Sequence, residues 1–156
     1  TVNGLATNVT TTSSTITFGT VTTSTNGIAG NSLVVTTNAG SGYTVYIKYT
    51  GILTSGSNTI ADHTGSNGTP TIFPSVGTAA FGYTTESTSL SGSGNRFNVG
   101  ATNKYSGFTT TNLEVARATA AVSGDTTKIG YQVGIGGTTP AGTYTSTVVL
   151  TATPTY

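Results

Sequence analysis

Thr127-Lys-Ile-Gly-Tyr-Gln-Val-Gly-Ile135, then Gly136-Gly-Thr-Thr-Pro-Ala-Gly142, then Thr143-Tyr-Thr-Ser-Thr-Val-Val-Leu-Thr-Ala-Thr-Pro-Thr-Tyr156: this stretch decides the fold class. Ile129, Tyr131, Val133 and Ile135 alternate with Lys128, Gly130, Gln132 and Gly134. A period of two places the four apolar side chains on one face of a strand. Glycines, threonines and Pro140 then break the run as a turn does. The return repeats the alternation, with Tyr144, Val148, Leu150 and Ala152 on one face. Two long strands with one apolar face each read as a hairpin, and a hairpin alone is marginal in water. It requires a second sheet, so the stretch predicts a β-sandwich.

Working outward, residues 15–21 read as a strand with Ile16 and Phe18 inward, and residues 32–37 as another with Leu33 and Val35 inward. Residues 43–50 follow with Tyr43, Val45, Ile47 and Tyr49 on one face, so these last two strands are expected to pair as a hairpin. Residues 22–31, with Asn26-Gly27 and Gly30-Asn31, read as loop. Residues 51–74 read as loop around a short apolar run at 59–61, residues 78–86 as a strand, and residues 87–107 as loop. Leu113-Glu-Val-Ala-Arg-Ala118 has helix-forming composition, but its threonine neighbours favour a strand. The expectation is an all-β chain, a single antiparallel β-sandwich of immunoglobulin-like or jelly-roll-like type, with about seven or eight strands and little or no helix.

Composition agrees. Thr (39), Ser (16) and Gly (22) make up about half of the 156 residues. Threonine suits extended backbone through its branched Cβ. Only 6% of residues are charged, against roughly 25% in ordinary soluble domains. A net charge of +1 offers no field for nucleic acid or anionic membrane, and little repulsion between copies. Cysteine is absent, which removes disulfides and thiolate metal sites. No run approaches the length of a membrane span. A chain that begins at Thr1 and holds no Met is expected to be cut from a secreted precursor, which places it outside the cell or on its surface. Asn8-Val-Thr10 and Asn67-Gly-Thr69 fit the N-glycosylation pattern, so Asn8 and Asn67 are candidate acceptors.

The residues that could carry chemistry are scattered. Asp62, Glu86, Glu114 and Asp125 lie on four segments, and no spacing pairs them for acid–base work. Asp62-His63 near Ser66 invites a triad reading, but no nucleophile-elbow motif accompanies it. Asp62 and Asp125 lack the dense acidic spacing of a calcium loop. Lys48, Lys104 and Lys128 match an isopeptide bond by residue type alone, and Lys48 and Lys128 fall on outward faces. Tyr46, Tyr105 and Tyr156 are the aromatics expected outside the core, which leaves a surface glycan-binding module as the alternative function. No catalytic residue, metal or cofactor is expected.

Four pieces carry a resemblance: Ile16-Thr-Phe-Gly-Thr20, Leu33-Val-Val-Thr-Thr-Asn-Ala-Gly-Ser-Gly-Tyr43, Gly77-Thr-Ala-Ala-Phe-Gly82 and Pro140-Ala-Gly-Thr-Tyr-Thr-Ser-Thr-Val-Val-Leu-Thr-Ala-Thr-Pro-Thr-Tyr156. The pattern resembles secreted, Thr-rich β-sandwich surface proteins: spore-coat-U-like and WxL-like domains, and subunits of donor-strand-exchanged pili and threads. The resemblance implies a structural subunit of an extracellular filament, a homopolymer whose partner is the next copy, head to tail. Residues 1–12 are the expected donor strand and residues 13–156 the sandwich. The apolar and alternating positions of that segment, Val2, Leu5, Thr7 and Val9, are the expected subunit contacts, through addition of a strand to a neighbour's sheet.

Overall fold

Branched and aromatic side chains crowd a helix and suit a pleated strand, and the computed structural model, which describes residues 1–101 and 103–156, consists mainly of strands and connections. In chain order the strands are β1 (Thr10–Thr11), β2 (Ile16–Thr17), β3 (Gly27–Thr37), β4 (Tyr43–Tyr49), β5 (Leu53–Ser55), β6 (Asn58–Ile60), β7 (Thr71–Ile72), β8 (Ala80–Thr85), β9 (Lys104–Tyr105), β10 (Leu113–Ala118), β11 (Val122–Gly134) and β12 (Val148–Pro154). Among the described residues the helical content is one 3₁₀ segment, Arg96–Ala101. Leu113–Ala118 is a strand, as its neighbours indicate. The strand count exceeds the expected seven or eight because the ribbons β1–β2, β5–β6 and β7–β9 are two or three residues long. Such lengths are too short for alternation to register.

Two three-stranded antiparallel sheets carry the fold, ordered β10-β4-β12 and β3-β11-β8. Ala29, Phe81, Tyr83, Ile129, Tyr131 and Val133 from one sheet share a single core cluster with Tyr43, Val45, Ile47, Val115 and Ala116 from the other. Phe108, from the connection before β10, sits at its centre. Its ring centroid is 4.7 Å from Phe81, 4.9 Å from Tyr83, 5.7 Å from Tyr49 and 6.4 Å from Tyr131. Thr85 Oγ1 donates to Val115 O at 2.6 Å, and Tyr43 OH donates to Asp125 Oδ2 at 2.9 Å. These bonds set β8 against β10 and β11 against β4. The strand orders then leave β3 and β12 as the two edges of the same side.

Both expected hairpins are replaced by crossings. β3 pairs with β11, and β4 pairs with β10 and β12, so residues 38–42 carry the chain from one sheet to the other. β11 and β12 likewise lie in different sheets, and residues 135–147 bridge them. Period two reports which face is buried. It does not report which strand lies alongside, and a five-residue glycine-rich link serves a sheet-to-sheet corner as well as a hairpin. The predicted loop at residues 22–31 is also corrected, because β3 starts at Gly27. Its glycines serve close packing: a Cβ on Gly27 would lie 2.7 Å from Phe18 Cδ1, and one on Gly30 would lie 2.5 Å from Val2 Cγ2.

Candidate functional site

Val2 and Leu5 exchange backbone hydrogen bonds, Val2 N to Leu5 O at 3.0 Å and Leu5 N to Val2 O at 2.9 Å. The two residues between them, Asn3 and Gly4, have φ of 49° and 77°. Asn-Gly is the preferred pair for such a two-residue turn because both positions need positive φ. The leading segment therefore reverses at its start in this structure and does not run as one extended strand over residues 1–12. Alternation of Leu5, Thr7 and Val9 suggested extension, and the turn signal in Asn3-Gly4 outweighs it.

The segment is seated on its own sandwich. Gly30, Gly130 and Thr84 form one row across β3, β11 and β8, and Val2, only 4% exposed, lies on that row. Asn3 pins it: its N–H donates to Glu86 Oε1 at 2.7 Å, and its Nδ2 donates to Thr84 Oγ1 and Thr85 O, each at 3.1 Å. Leu5 packs on a satellite cluster of Phe73, Ala80 and Tyr105. Thr7 is exposed, with its methyl over Gly30, and Val9 reaches the main core. Asn8 runs beside β3, its N–H donating to Ile28 O at 2.9 Å and its Oδ1 accepting from Ile28 N at 2.7 Å.

The four sheet edges are treated unequally. β8 is covered: Tyr83 and Ser106 exchange two backbone bonds of 2.9 Å, and Phe81 bonds to Ala61 and His63. β10 carries a bulge between Glu114 and Ala116, two charges, and carbonyls capped by side chains, with Asn67 Nδ2 on Glu114 O at 2.9 Å. Bulges, charges and covering loops are the usual protections against edge-to-edge pairing. Among the described residues β3 is shielded only at Ile28 and Gly30, by Asn8 and Thr11. Among the described residues no backbone hydrogen bond reaches the outward edge of residues 32–37 or of β12. Val34 is 66% exposed and Leu150 37%. Val148, Leu150 and Ala152 do share the inward face, opposite Tyr49, Ile47 and Val45, yet that face is largely uncovered beyond Val148.

The remaining polar candidates do not converge. His63 is buried between loops, its Nε2 2.9 Å from Thr71 Oγ1 and its ring stacked on Phe73 at 5.4 Å. Burial holds its pKa below the usual histidine value, against hydrogen bonds that favour the cation. Asp62 instead accepts from Tyr49 OH at 2.7 Å, and burial raises its pKa. Burial and the neighbouring carboxylates push Tyr43 and Tyr49 up to about 12. Ser66 Oγ accepts from Thr69 N at 3.1 Å, so Asp62, His63 and Ser66 form no triad. Glu86 serves Asn3 and lies 4.0 Å from Lys128, Glu114 binds Ser91, and Asp125 serves Tyr43. No group of three or more metal-ligating side chains occurs among the described residues. Lys128 lies on the outer face, its Nζ on Thr1 O at 3.3 Å; Lys48 lies opposite Val149, and Lys104 opposite Ile72.

Tyr105 was expected outside the core and is instead 3% exposed, because its strand β9 lays it on Phe73. Tyr46 is half-buried and Tyr156 is 89% exposed, so the three form no stacking platform. Both candidate glycan acceptors have their amide nitrogens engaged. Asn8 Nδ2 donates to Asn26 O at 2.9 Å, and Asn67 Nδ2 donates to Tyr83 OH at 2.8 Å and to Glu114 O. A sugar on either would displace those bonds. Sequence reasoning passed over Arg96, which is 8% exposed and gives Nε and Nη2 to Asn67 O and Oδ1, each at 2.6 Å, and Nη1 to Ser91 O and Ser93 O. An arginine caged by carbonyls leaves no spacing signature. Compared with known proteins, the chain matches no family model, no curated protein and no solved structure.

Proposed function

We propose that the chain is a structural subunit of an extracellular filament, joined copy to copy when an extended segment of one adds to the open side of the next. The observation that carries this reading is the unequal protection of the sheet edges among the described residues, with residues 32–37 of β3 and β12 bare on one side while β8 and β10 are covered or charged. The donor is the leading segment. Residues 8–11 already run beside β3 at Ile28 and Gly30, and a neighbour's copy extends that line along residues 32–37, with Leu5, Thr7 and Val9 in alternation and Val2 released from its glycine row. Each added backbone bond contributes about 1 kcal/mol net. Insertion of one copy into the next does not close on itself, so it builds filaments. A chain with 6% charged residues offers little opposition to such growth.

The absence of cysteine makes the test clean. Asn3→Cys with Thr84→Cys replaces two side chains 3.1 Å apart. Oxidised, the pair locks the segment on its own body; reduced, it frees it. Electron micrographs are expected to show filaments for wild type and for the reduced variant, and single particles for the oxidised one. Filaments from the locked protein refute the donor, and no filaments from wild type refute the function.

A further inference from the structure

We infer that the free edge of β12 is a two-fold contact with β12 of a second copy, a sideways joint distinct from strand donation at β3. The backbone parity of the strand is set by its bonds to β4 and the residues around it. Thr155 N donates to Gly42 O, Ser41 N donates to Thr155 O, and Thr50 N donates to Thr147 O. Odd-numbered residues thus turn their N–H and C=O toward β4, and Val148, Leu150, Ala152 and Pro154 turn theirs outward. Three free N–H groups and four free carbonyls face away from the sheet, Pro154 having no N–H to offer.

Antiparallel pairing centred on Thr151 fits that pattern. Leu150 then faces the partner's Ala152, and Val148 faces the partner's Pro154. Each is a pair in which outward groups meet outward groups. The proline meets its partner at the end of the ladder, where its missing donor removes one bond and leaves the centre whole. Large faces small at the Leu150–Ala152 pairs, and the partly uncovered Leu150 gains a neighbour. Val148–Pro154 carries no charge, so no like charges meet when it faces itself. An extended, uncharged, self-complementary strand is the occupant this edge accommodates best, and a second copy supplies one. Two sheets of order β10-β4-β12 merge into one of six strands.

The geometry dictates the test. At the centre of the ladder Thr151 and its symmetry mate form a non-hydrogen-bonded pair, whose Cα separation of about 4.5 Å lies within disulfide range. Thr151→Cys, in a chain without cysteine, is expected to oxidise to a dimer of doubled mass. Thr153→Cys, whose mate lies several residues away along the ladder, is expected to stay uncrosslinked under the same oxidation. Ala152→Pro removes an outward N–H without touching the bonds to β4. It is expected to lose the doubled mass in light scattering while its unfolding transition stays that of wild type. Equal crosslinking of the two cysteine variants overturns the inference, as does a doubled mass retained by a folded Ala152→Pro. The outcome is separable from strand donation: filaments that persist singly in Ala152→Pro support the sideways joint, and dimers without filaments in wild type support it while refuting the filament reading.

Discussion

Gly30→Ala should unseat the leading segment without touching the sandwich core. A Cβ at this position would lie 2.5 Å from Val2 Cγ2, so Val2 must leave. Burial of a valine side chain contributes about 1.5–3 kcal/mol. The Asn3 N–H bond to the Glu86 carboxylate adds about 1.5–3 kcal/mol, and the two side-chain amide bonds about 1 kcal/mol each. Ordering the first four residues costs about 1–2 kcal/mol apiece. Gains of about 5–8 kcal/mol against a cost of about 4–8 kcal/mol leave the seat marginal, closed by at most about 4 kcal/mol. Removing the valine contribution brings the two forms to comparable populations. Native-state hydrogen exchange reads this at the Asn3 and Leu5 amides, which bond to Glu86 and to Val2 O; about thirtyfold faster exchange corresponds to 2 kcal/mol. Val2→Ala removes the obstructing methyl as well as its burial, so Gly30→Ala should cost almost nothing further in that background. The coupling between the two changes is then about 2 kcal/mol. Additive effects, or unchanged exchange at Leu5 in Gly30→Ala, refute the seat.

Arg96→Ala strips four carbonyl acceptors of a buried donor and should lower unfolding stability by about 3–5 kcal/mol, seen as a lower urea midpoint. Tyr49→Phe leaves the Asp62 carboxylate without its 2.7 Å donor and should cost about 1–3 kcal/mol by the same measurement. His63 has a folded pKa below its unfolded value, so the unfolded chain binds the proton more readily. Its contribution is complete above about pH 6.5 and is lost as pH falls toward the folded value. His63→Phe should flatten stability against pH in that window, and Asp62, whose pKa is raised by burial, gives the opposite slope nearer pH 4.

The alternation at residues 129–135 and 43–49 was legible because each inward position meets the opposite sheet: Ile129, Tyr131 and Val133, like Tyr43, Val45 and Ile47, are almost fully buried. Strand partners were not legible. Gly30 and Gly130 look like turn residues in isolation, and their purpose becomes visible only when Val2, more than twenty residues away in sequence, is laid on them. The Asn3-Gly4 turn was written in the chain, yet a terminus rich in Thr and Asn draws attention to fraying and away from turn chemistry. Phe108 and Arg96 depend on contacts from several segments, and no local pattern announces such positions.

A second apolar pattern that misled, after that of Leu5 and Val9, bears on the proposed association. Val148, Leu150 and Ala152 alternate as convincingly as Ile129, Tyr131 and Val133, yet β12 is mostly exposed while β11 is buried along the corresponding run. A strand whose sequence is written for burial, and whose own molecule provides no cover, has either lost a constraint or acquired a partner. Neighbouring edges discriminate between these. A chain indifferent to its edges would leave all four alike, whereas here a bulge, two charges and a side-chain cap protect β10, and two loops close β8. Protection on one side and apolar, uncharged strands on the other amount to a polarity of association. The consequence can be measured by light scattering and electron microscopy: charges added at Val34 or Leu150 should abolish assembly while leaving the monomer folded, because neither side chain supports the core.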